Sequence, residues 1–439
     1  MQVMTKLKAK LAKRDALLQG FFGAALKMSA VRALIIVFSF VGSVALTRAI
    51  GPEGRGLIAW FVAAASIAMM FAQCGVEVLN RRFVAEKPEL AGGLTVLTLK
   101  ACVIGTLATL PFLIYFSYTS NIGSDNVPML AVTCALVFFM AVAPCLNSIQ
   151  MGLNNIRDFM WGIVMQKLGN VVMVLALIGL GIITPFNGML VLLVSYMLQV
   201  AMALYSLKDA MKARVPGAMA FMLGKKAYMF NTYVRNILLM SAASVVPLLL
   251  GTQHSLASAG WFAACMIIID AINKTFGMMI NYALPQIAGA KSKAEREKLK
   301  KSVQQISFWL MLAIAGVWAA IAGFAIPLLL GDEFEGAVMT FRILCIYMVF
   351  ASLSEANQTI VMAATEGLLI LLPPLVTLVS VASASLWLIP TYGADGGAVA
   401  VVGGAFAGLV ASWICVRLVQ GQTLKREALA DAAMEKESL

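Results

Sequence analysis

Residues 46–83 read LTRAIGPEGRGLIAWFVAAASIAMMFAQCGVEVLNRRF, and this stretch decides the fold. One apolar run ends within it, the turn GPEGRG (51–56) follows, and a second apolar run extends to Asn80. Two apolar runs of about 20 residues joined by a tight polar turn predict a transmembrane helical hairpin. Because hydrocarbon offers the backbone no hydrogen-bond partners, each crossing must be helical.

The second run of this hairpin contains two polar residues, Gln73 and Glu77, which are predicted to lie one helical turn apart inside the second span. A carboxylate at this depth costs on the order of 3 kcal/mol on insertion scales. We therefore expect Glu77 to face protein or water rather than lipid.

The composition is that of a polytopic membrane protein. Of the 439 residues, 61% are hydrophobic and 12% are charged, and the mean hydropathy is +0.90, which excludes an ordinary soluble enzyme. The net charge of +12 would suit nucleic acid, but the positions of the basic residues argue against that partner. The 7 cysteines have no paired spacing, so the sequence predicts neither a disulfide framework nor a metal site, and no cofactor.

Hydropathy predicts an all-α membrane protein with about twelve transmembrane helices. The predicted spans are roughly 30–50, 57–79, 93–117, 128–150, 161–183, 188–207, 233–250, 258–285, 306–330, 336–362, 367–390 and 397–418.

The distribution of basic residues between the connecting segments predicts the orientation. The termini and the connections on one side of the membrane carry 24 Lys and Arg residues, whereas the connections on the other side carry only Arg55. Because cytoplasmic segments are enriched in Lys and Arg, both termini are predicted to be cytoplasmic.

A weak internal repeat predicts two parallel six-helix lobes. PLLLGTQHSLASAGWFAAC (247–265) resembles the start of the first hairpin, and EANQTIVM (355–362) resembles CLNSIQMG (145–152). Six spans separate the members of each pair, so the copies share one orientation. The predicted segments are a cytoplasmic basic amphipathic segment (1–29), an N-terminal lobe (30–207), a cytoplasmic basic linker (208–232), a C-terminal lobe (233–418) and a cytoplasmic tail (419–439).

Basic residues outnumber acidic residues inside the predicted spans. The bases in or at the ends of spans are Arg32, Arg48, Lys100, Lys167, Arg235, Lys274, Arg342 and Arg417, and the acids are Glu77, Asp270 and Glu355. Arg48 and Arg417 are interpreted as residues that reach the membrane surface from a helix end. Lys167 and Arg235 are left open between that role and a functional one. An interior that is rich in bases suits an anionic cargo.

Four of these bases are the predicted substrate contacts: Arg32, Lys100, Lys274 and Arg342. The three acids, Glu77, Asp270 and Glu355, are the predicted ion-coupling residues, with H⁺ or Na⁺ as the candidate ion. Asp270 and Lys274 are one turn apart, so a purely structural ion pair between them is the alternative.

The GPEGRG turn after span one, the acid in span two, NRRF (80–83) at its cytoplasmic end and the two six-helix lobes resemble a known family. They resemble the O-antigen-type polysaccharide flippases of the multidrug/oligosaccharidyl-lipid/polysaccharide (MOP) exporter superfamily. The resemblance covers nearly the whole chain and rests on topology and turn patterns.

This resemblance implies transport of an undecaprenyl-pyrophosphate-linked oligosaccharide from the cytoplasmic to the periplasmic leaflet of the bacterial inner membrane. It also implies a cationic central cavity, alternating access, coupling to an ion gradient and a monomer. The polyprenyl tail would stay in the lipid, and polysaccharide assembly proteins are the protein partners that this interpretation allows.

Three alternatives differ in class. A drug or cation antiporter of the same superfamily predicts an acidic cavity, which the excess of intramembrane bases disfavours. A glycan polymerase or ligase commonly needs a sizeable extracytoplasmic loop, and the predicted outward connections are too short, so we expect no enzyme. A scaffold for assembly enzymes would leave the intramembrane charges without a use.

Overall fold

A computed structural model of the protein describes residues 2–120, 122–213, 226–288, 293–364 and 368–437. Within these ranges the chain is helical almost throughout and contains no strand. The helices are α1 (Gln2–Ala72), α2 (Val76–Glu86), α3 (Ala91–Thr119), α4 (Ile122–Asp125), α5 (Val127–Gly152), α6 (Ile156–Gly179), α7 (Pro185–Lys212), α8 (Lys226–Gln253), α9 (Leu256–Ala288), α10 (Lys293–Leu330), α11 (Ala337–Ala364) and α12 (Leu372–Glu437). Short 3₁₀ helices occupy Pro88–Leu90, Asp332–Phe334 and Leu368–Leu371. Residues 214–225 of the predicted linker lie outside the described residues.

The described residues contain ten helical segments that are long and apolar enough to cross a membrane, so the all-helical, multi-pass membrane fold is confirmed. Two of these segments, Val31–Ala72 and Leu368–Leu418, have 42 and 51 residues. At about 1.5 Å per residue each is roughly twice as long as the hydrocarbon core is thick. Each is interrupted by one glycine with a non-helical backbone, Gly51 (φ 68°) and Gly393 (φ 54°).

The chain doubles back at Gly393. A Cβ atom added to Gly404 would collide with the Val381 side chain, and one added to Gly408 would collide with Thr377 Oγ1. These two pairs run in opposite directions along the sequence, as in an antiparallel helical hairpin. Positive φ favours glycine, so the residue type at the turn explains the reversal. The predicted number of twelve spans and the predicted cytoplasmic termini stay predictions.

The second predicted span is not one continuous helix. α1 ends at Ala72, and α2 begins at Val76 after a turn in which Cys74 (φ 49°) and Gly75 (φ 74°) have left-handed backbones. The expectation that Gln73 and Glu77 lie one turn apart on the same helix was therefore wrong. The backbone N–H groups of Gln73 and Cys74 donate to Met69 O and Phe71 O, so the break leaves these polar groups paired.

Buried apolar side chains form two main clusters. One is built mostly from residues before 213, with Trp60, Phe61 and Phe83 fully buried in it. The other is built from residues after 226, with Phe334 and Phe341 fully buried. We call the two parts of the chain the N-terminal half (residues up to 213) and the C-terminal half (residues from 226).

The two halves meet closely where α1 crosses α9. A Cβ atom at Gly56 would collide with the Leu256 carbonyl, and a Cβ atom at Gly260 would collide with the Pro52 carbonyl. Only glycine allows two backbones to approach this closely. We call this reciprocal crossing the Gly56–Gly260 contact. It lies at the end of the molecule that carries the Gly51 turn, which we call the glycine end.

Candidate functional site

A cavity of about 200 Å³ lies where α1, α6 and α9 meet, so residues from both halves line it. Its walls are Arg32, Ile35 and Ile36 of α1, Phe159, Met160 and Ile163 of α6, and Lys274 of α9. Two of the four predicted substrate contacts, Arg32 and Lys274, are thus brought together from opposite halves. Ligand pockets for whole small molecules usually measure about 300–1,000 Å³, so this cavity suits a phosphate-sized group.

Helical spacing explains why these residues share the cavity. Arg32, Ile35 and Ile36 are three and four residues apart, and so they occupy one face of α1. Phe159, Met160 and Ile163 follow the same spacing on α6. The result is a pair of cations set beside an apolar wall, where both can contact the same anion.

Lys167 is a third cation beside this cavity. The sequence had left its role open between a helix-end residue and a functional one. It lies one helical turn beyond Ile163 on α6, is partly buried and is within electrostatic range of Lys274. Within the described part of the chain, no hydrogen bond or ion pair reaches Arg32 or Lys167. The sequence could not assign Lys167 to the site because it does not show which face of α6 turns towards α9.

Lys274 Nζ lies 3.4 Å from Asp270 Oδ2, so the predicted i,i+4 pair forms. The two side chains are 67% and 51% exposed. An ion pair this exposed contributes little stability because water screens it. Lys274 therefore pairs with Asp270 and lines the cavity at the same time.

The structure does not bring Lys100 and Arg342 to this cavity. Lys100 is exposed on the same face of α3 as Ile104 and Leu107, which are 67% and 63% exposed. The Arg342 Nε donates a hydrogen bond to Ala319 O on α10 at 3.3 Å.

Glu355, a predicted coupling residue, lies in the field of Arg235 on α8. Arg235 Nη2 donates to Gln358 Oε1 at 3.2 Å, which holds the guanidinium against α11. Tyr347 is within electrostatic range of both Glu355 and Asp270. Arg235 was the second basic residue that the sequence had left open, and a partner 123 residues away could not be seen in the sequence.

Glu77 differs from the other two predicted coupling residues. It is partly buried in the first turn of α2, directly after the helix break, and no described residue forms a hydrogen bond or ion pair with its carboxylate. The break itself lies against the C-terminal half, because a Cβ atom at Gly75 would come 3.1 Å from Tyr233 Cγ. Among the described residues, Glu77 is therefore an acid without a basic partner, and it lies next to the interface between the halves. No group of three or more His, Cys, Asp or Glu in the described ranges could hold a metal ion.

Comparison with known proteins identifies a sequence family and a fold for this chain. Residues 26–259 match the sequence profile of a family described as polysaccharide biosynthesis protein. No curated protein matched the chain.

Several solved structures are similar to nearly the whole chain. An inward-facing conformation of a multidrug resistance MATE family transporter of the MOP superfamily aligns with a TM-score of 0.70 and 14% identity, over 89% of this chain and 96% of that chain. An outward-facing conformation of such a transporter gives 0.56 and 14%, over 91% and 96%. A MATE structure in a bent conformation gives 0.58 and 15%, over 92% and 96%. At these identities the likeness concerns the fold, and the structural neighbours are transporters.

Proposed function

Because this chain belongs to the polysaccharide biosynthesis protein family, within the MOP exporter superfamily, we propose that it is a lipid-linked oligosaccharide flippase. It moves a polyprenyl-pyrophosphate-linked oligosaccharide from the cytoplasmic to the periplasmic leaflet of the bacterial inner membrane. It acts by alternating access as a non-enzymatic monomer, with membrane lipids and polysaccharide assembly proteins, and no nucleic acid, as its partners.

The observation that carries this proposal is the cavity that Arg32 and Lys274 share. A buried pyrophosphate needs cations close to it, because an unpaired anion in a low-dielectric site costs several kcal/mol. Arg32, Lys167 and Lys274 supply positive charge from both halves, so that one anion can contact both halves at once. The predicted roles of Lys100 and Arg342 as substrate contacts stay predictions, and the proposed site does not depend on them.

The proposed topology has twelve spans, since each of the two long helical segments doubles back at its glycine and crosses twice. The positive-inside rule then puts the glycine end on the periplasmic side and both termini in the cytoplasm. The two lobes, 30–207 and 233–418, alternate between a state in which the Gly56–Gly260 contact is closed and a state in which it is open, and the 208–232 linker joins them. The higher TM-score against an inward-facing transporter supports a resting state that is closed at the glycine end.

We assign ion coupling to Glu77. Asp270 is bonded to Lys274 and Glu355 lies in the field of Arg235, so each has a positive neighbour. Glu77 has no such neighbour among the described residues and lies at a helix break, where transporters commonly place ion sites. Neutralisation by H⁺ or by bound Na⁺ is then the step that changes its charge.

The test is flipping of an isotope-labelled polyprenyl-pyrophosphate oligosaccharide in proteoliposomes under an imposed pH or Na⁺ gradient. We expect Arg32→Gln and Lys274→Gln each to lower the initial rate about tenfold or more, because each removes a charge-assisted contact. Arg417→Gln is the control, since Arg417 stacks on Trp413 3.7 Å from the ring centre, away from the cavity. Full activity in both cavity variants would refute the cationic site.

A drug or cation antiporter is the second candidate, because the similar solved structures are multidrug transporters and Glu77 is an unpaired acid. It predicts gradient-driven efflux of a cationic dye that is lost in Glu77→Gln and unaffected by Arg32→Gln. Dye efflux without glycolipid flipping would favour this candidate over the flippase.

A further inference from the structure

Arg55 lies beside the Gly56–Gly260 contact at the glycine end. Its neighbour Gly54 packs against Pro185 of α7, and Gly56 packs against Leu256 of α9. Both backbone neighbours of Arg55 are thus in tight contact with other helices. The side chain keeps only a minor exposed fraction, and its Nε atom is completely enclosed.

No hydrogen-bond acceptor or carboxylate among the described residues pairs with the Arg55 guanidinium, and the enclosed Nε has no partner. Three other arginines of the described chain have hydrogen-bond partners, although the Nε atom of Arg235 also has none. Arg48 Nη1 donates to Leu328 O at 3.2 Å, and Arg235 and Arg342 donate to Gln358 and Ala319.

An enclosed cation without a partner is costly, by several kcal/mol in a low-dielectric site. A charge that the protein encloses without a structural partner is a candidate contact for a substrate or ion. Arg55 is also the only basic residue in the predicted outward connections, so its charge does not follow from the general enrichment of bases on the other side.

We propose that Arg55 is a second anion contact, for a phosphate or pyrophosphate group, used after the substrate has left the Arg32–Lys274 cavity. The inference rests on the proposed flippase function. Nineteen residues of α1 separate Arg32 from the Gly51 turn, so the two contacts lie roughly 25 Å apart along the membrane normal. One phosphate group cannot touch both contacts, and they therefore act one after the other.

Access to Arg55 depends on the Gly56–Gly260 contact. While this contact is closed, the Nε atom of Arg55 is enclosed and has no partner among the described residues. When the halves separate at the glycine end, Arg55 is exposed next to the opening and can bind an anion. An anion that binds only this open state shifts the population towards it, so the cargo itself favours opening on the release side.

The first test uses thermal stability, because it separates this role from a structural one. If Arg55 has no partner in the closed state, Arg55→Met removes an uncompensated charge and should raise the Tm of the detergent-purified protein by a few °C. A lower Tm, or a variant that does not accumulate in the membrane, would show that Arg55 has a structural partner and would overturn the proposal.

The second test measures flipping and substrate binding separately. We expect Arg55→Gln to lower the flipping rate about tenfold while binding of the labelled glycolipid from the cytoplasmic side stays within about twofold, and Arg55→Lys to keep a substantial part of the rate. Arg48→Gln is the matched control, because Arg48 is exposed near the same turn. We expect this variant to flip glycolipid at a rate within about twofold of the wild-type rate. An unchanged rate in Arg55→Gln would overturn the proposal.

A third measurement distinguishes this inference from the proposed function. In an Arg32→Gln/Lys274→Gln background, inorganic pyrophosphate should still raise the Tm, and adding Arg55→Gln should abolish that rise. If the wild type flips no glycolipid but this pyrophosphate effect is present, the flippase function fails and the Arg55 site stands. If pyrophosphate has no effect in the double variant, the Arg55 site fails.

Discussion

At the scale of single residues, Lys167 makes the sharpest prediction. It lies one turn beyond the cavity wall on α6, within range of Lys274, and no described residue pairs with it. We expect Lys167→Gln to lower glycolipid flipping about tenfold and Lys167→Arg to preserve most of it, since the charge and not the side-chain shape attracts the anion. The proteoliposome assay measures the flipping rates of both variants, with Lys208→Gln as the control. Lys208 Nζ lies 4.0 Å from the centre of the Tyr205 ring and is not part of the cavity. Equal rates in Lys167→Gln and wild type would remove Lys167 from the site.

Residue-scale prediction from the sequence succeeded where the partner is local. Asp270 and Lys274 are an i,i+4 pair, so their contact follows from helix geometry alone. Arg32 and Lys274 were named for their depth in the membrane, and the fold placed both at one cavity. Lys100 has the same chemistry and a similar depth, but its face of α3 turns outwards. Facing depends on which helices are neighbours, and a hydropathy pattern does not contain that information.

At the scale of elements, the break between α1 and α2 depends on Gly75. This residue has φ 74°, and an added Cβ would lie 3.1 Å from Tyr233 Cγ. Gly75→Ala therefore introduces both backbone strain and a close contact, and we expect it to destabilise the protein by about 1–2 kcal/mol and to slow flipping. Gly316→Ala is the matched control, because Gly316 is helical and faces open space, where alanine is neutral or stabilising. Thermal unfolding of both variants should give a lower Tm for Gly75→Ala than for Gly316→Ala. Equal Tm values would show that the break does not need glycine.

The sequence predicted the helices well because about 20 apolar residues have few alternatives in a membrane. The break at residues 73–75 was missed because the prediction relied on hydropathy alone. A hydropathy window averages over a full span, and one left-handed glycine hardly changes that average. Gly75 in the middle of an apolar run was the available signal, since glycine in a helix interior often marks a special backbone position.

At the scale of the whole molecule, the Gly56–Gly260 contact controls how the two halves are arranged. A side chain at either glycine collides with a backbone carbonyl of the other half, and a carbonyl cannot move aside as a flexible side chain can. We expect Gly56→Leu and Gly260→Leu to shift the protein towards the state that is open at the glycine end. Pairs of spin labels on α1 and α9 near this end should report a longer distance in both variants. Gly403→Ala, in open space, should leave the distance unchanged, and a wild-type distance in the leucine variants would mean that the contact does not hold this end closed.

Two turns at the glycine end are short: only His254 and Ser255 separate α8 from α9, and α12 doubles back at Gly393. The proposed reversal of α1 at Gly51 is equally tight. Proteases cleave, and inserted tags are tolerated, chiefly at exposed and flexible loop tips. These turns contain almost no exposed, flexible peptide. With the glycine end on the outer side, as proposed, protease added to intact cells should leave the chain uncut at these turns, and an antibody raised against that surface would find very little peptide there to recognise.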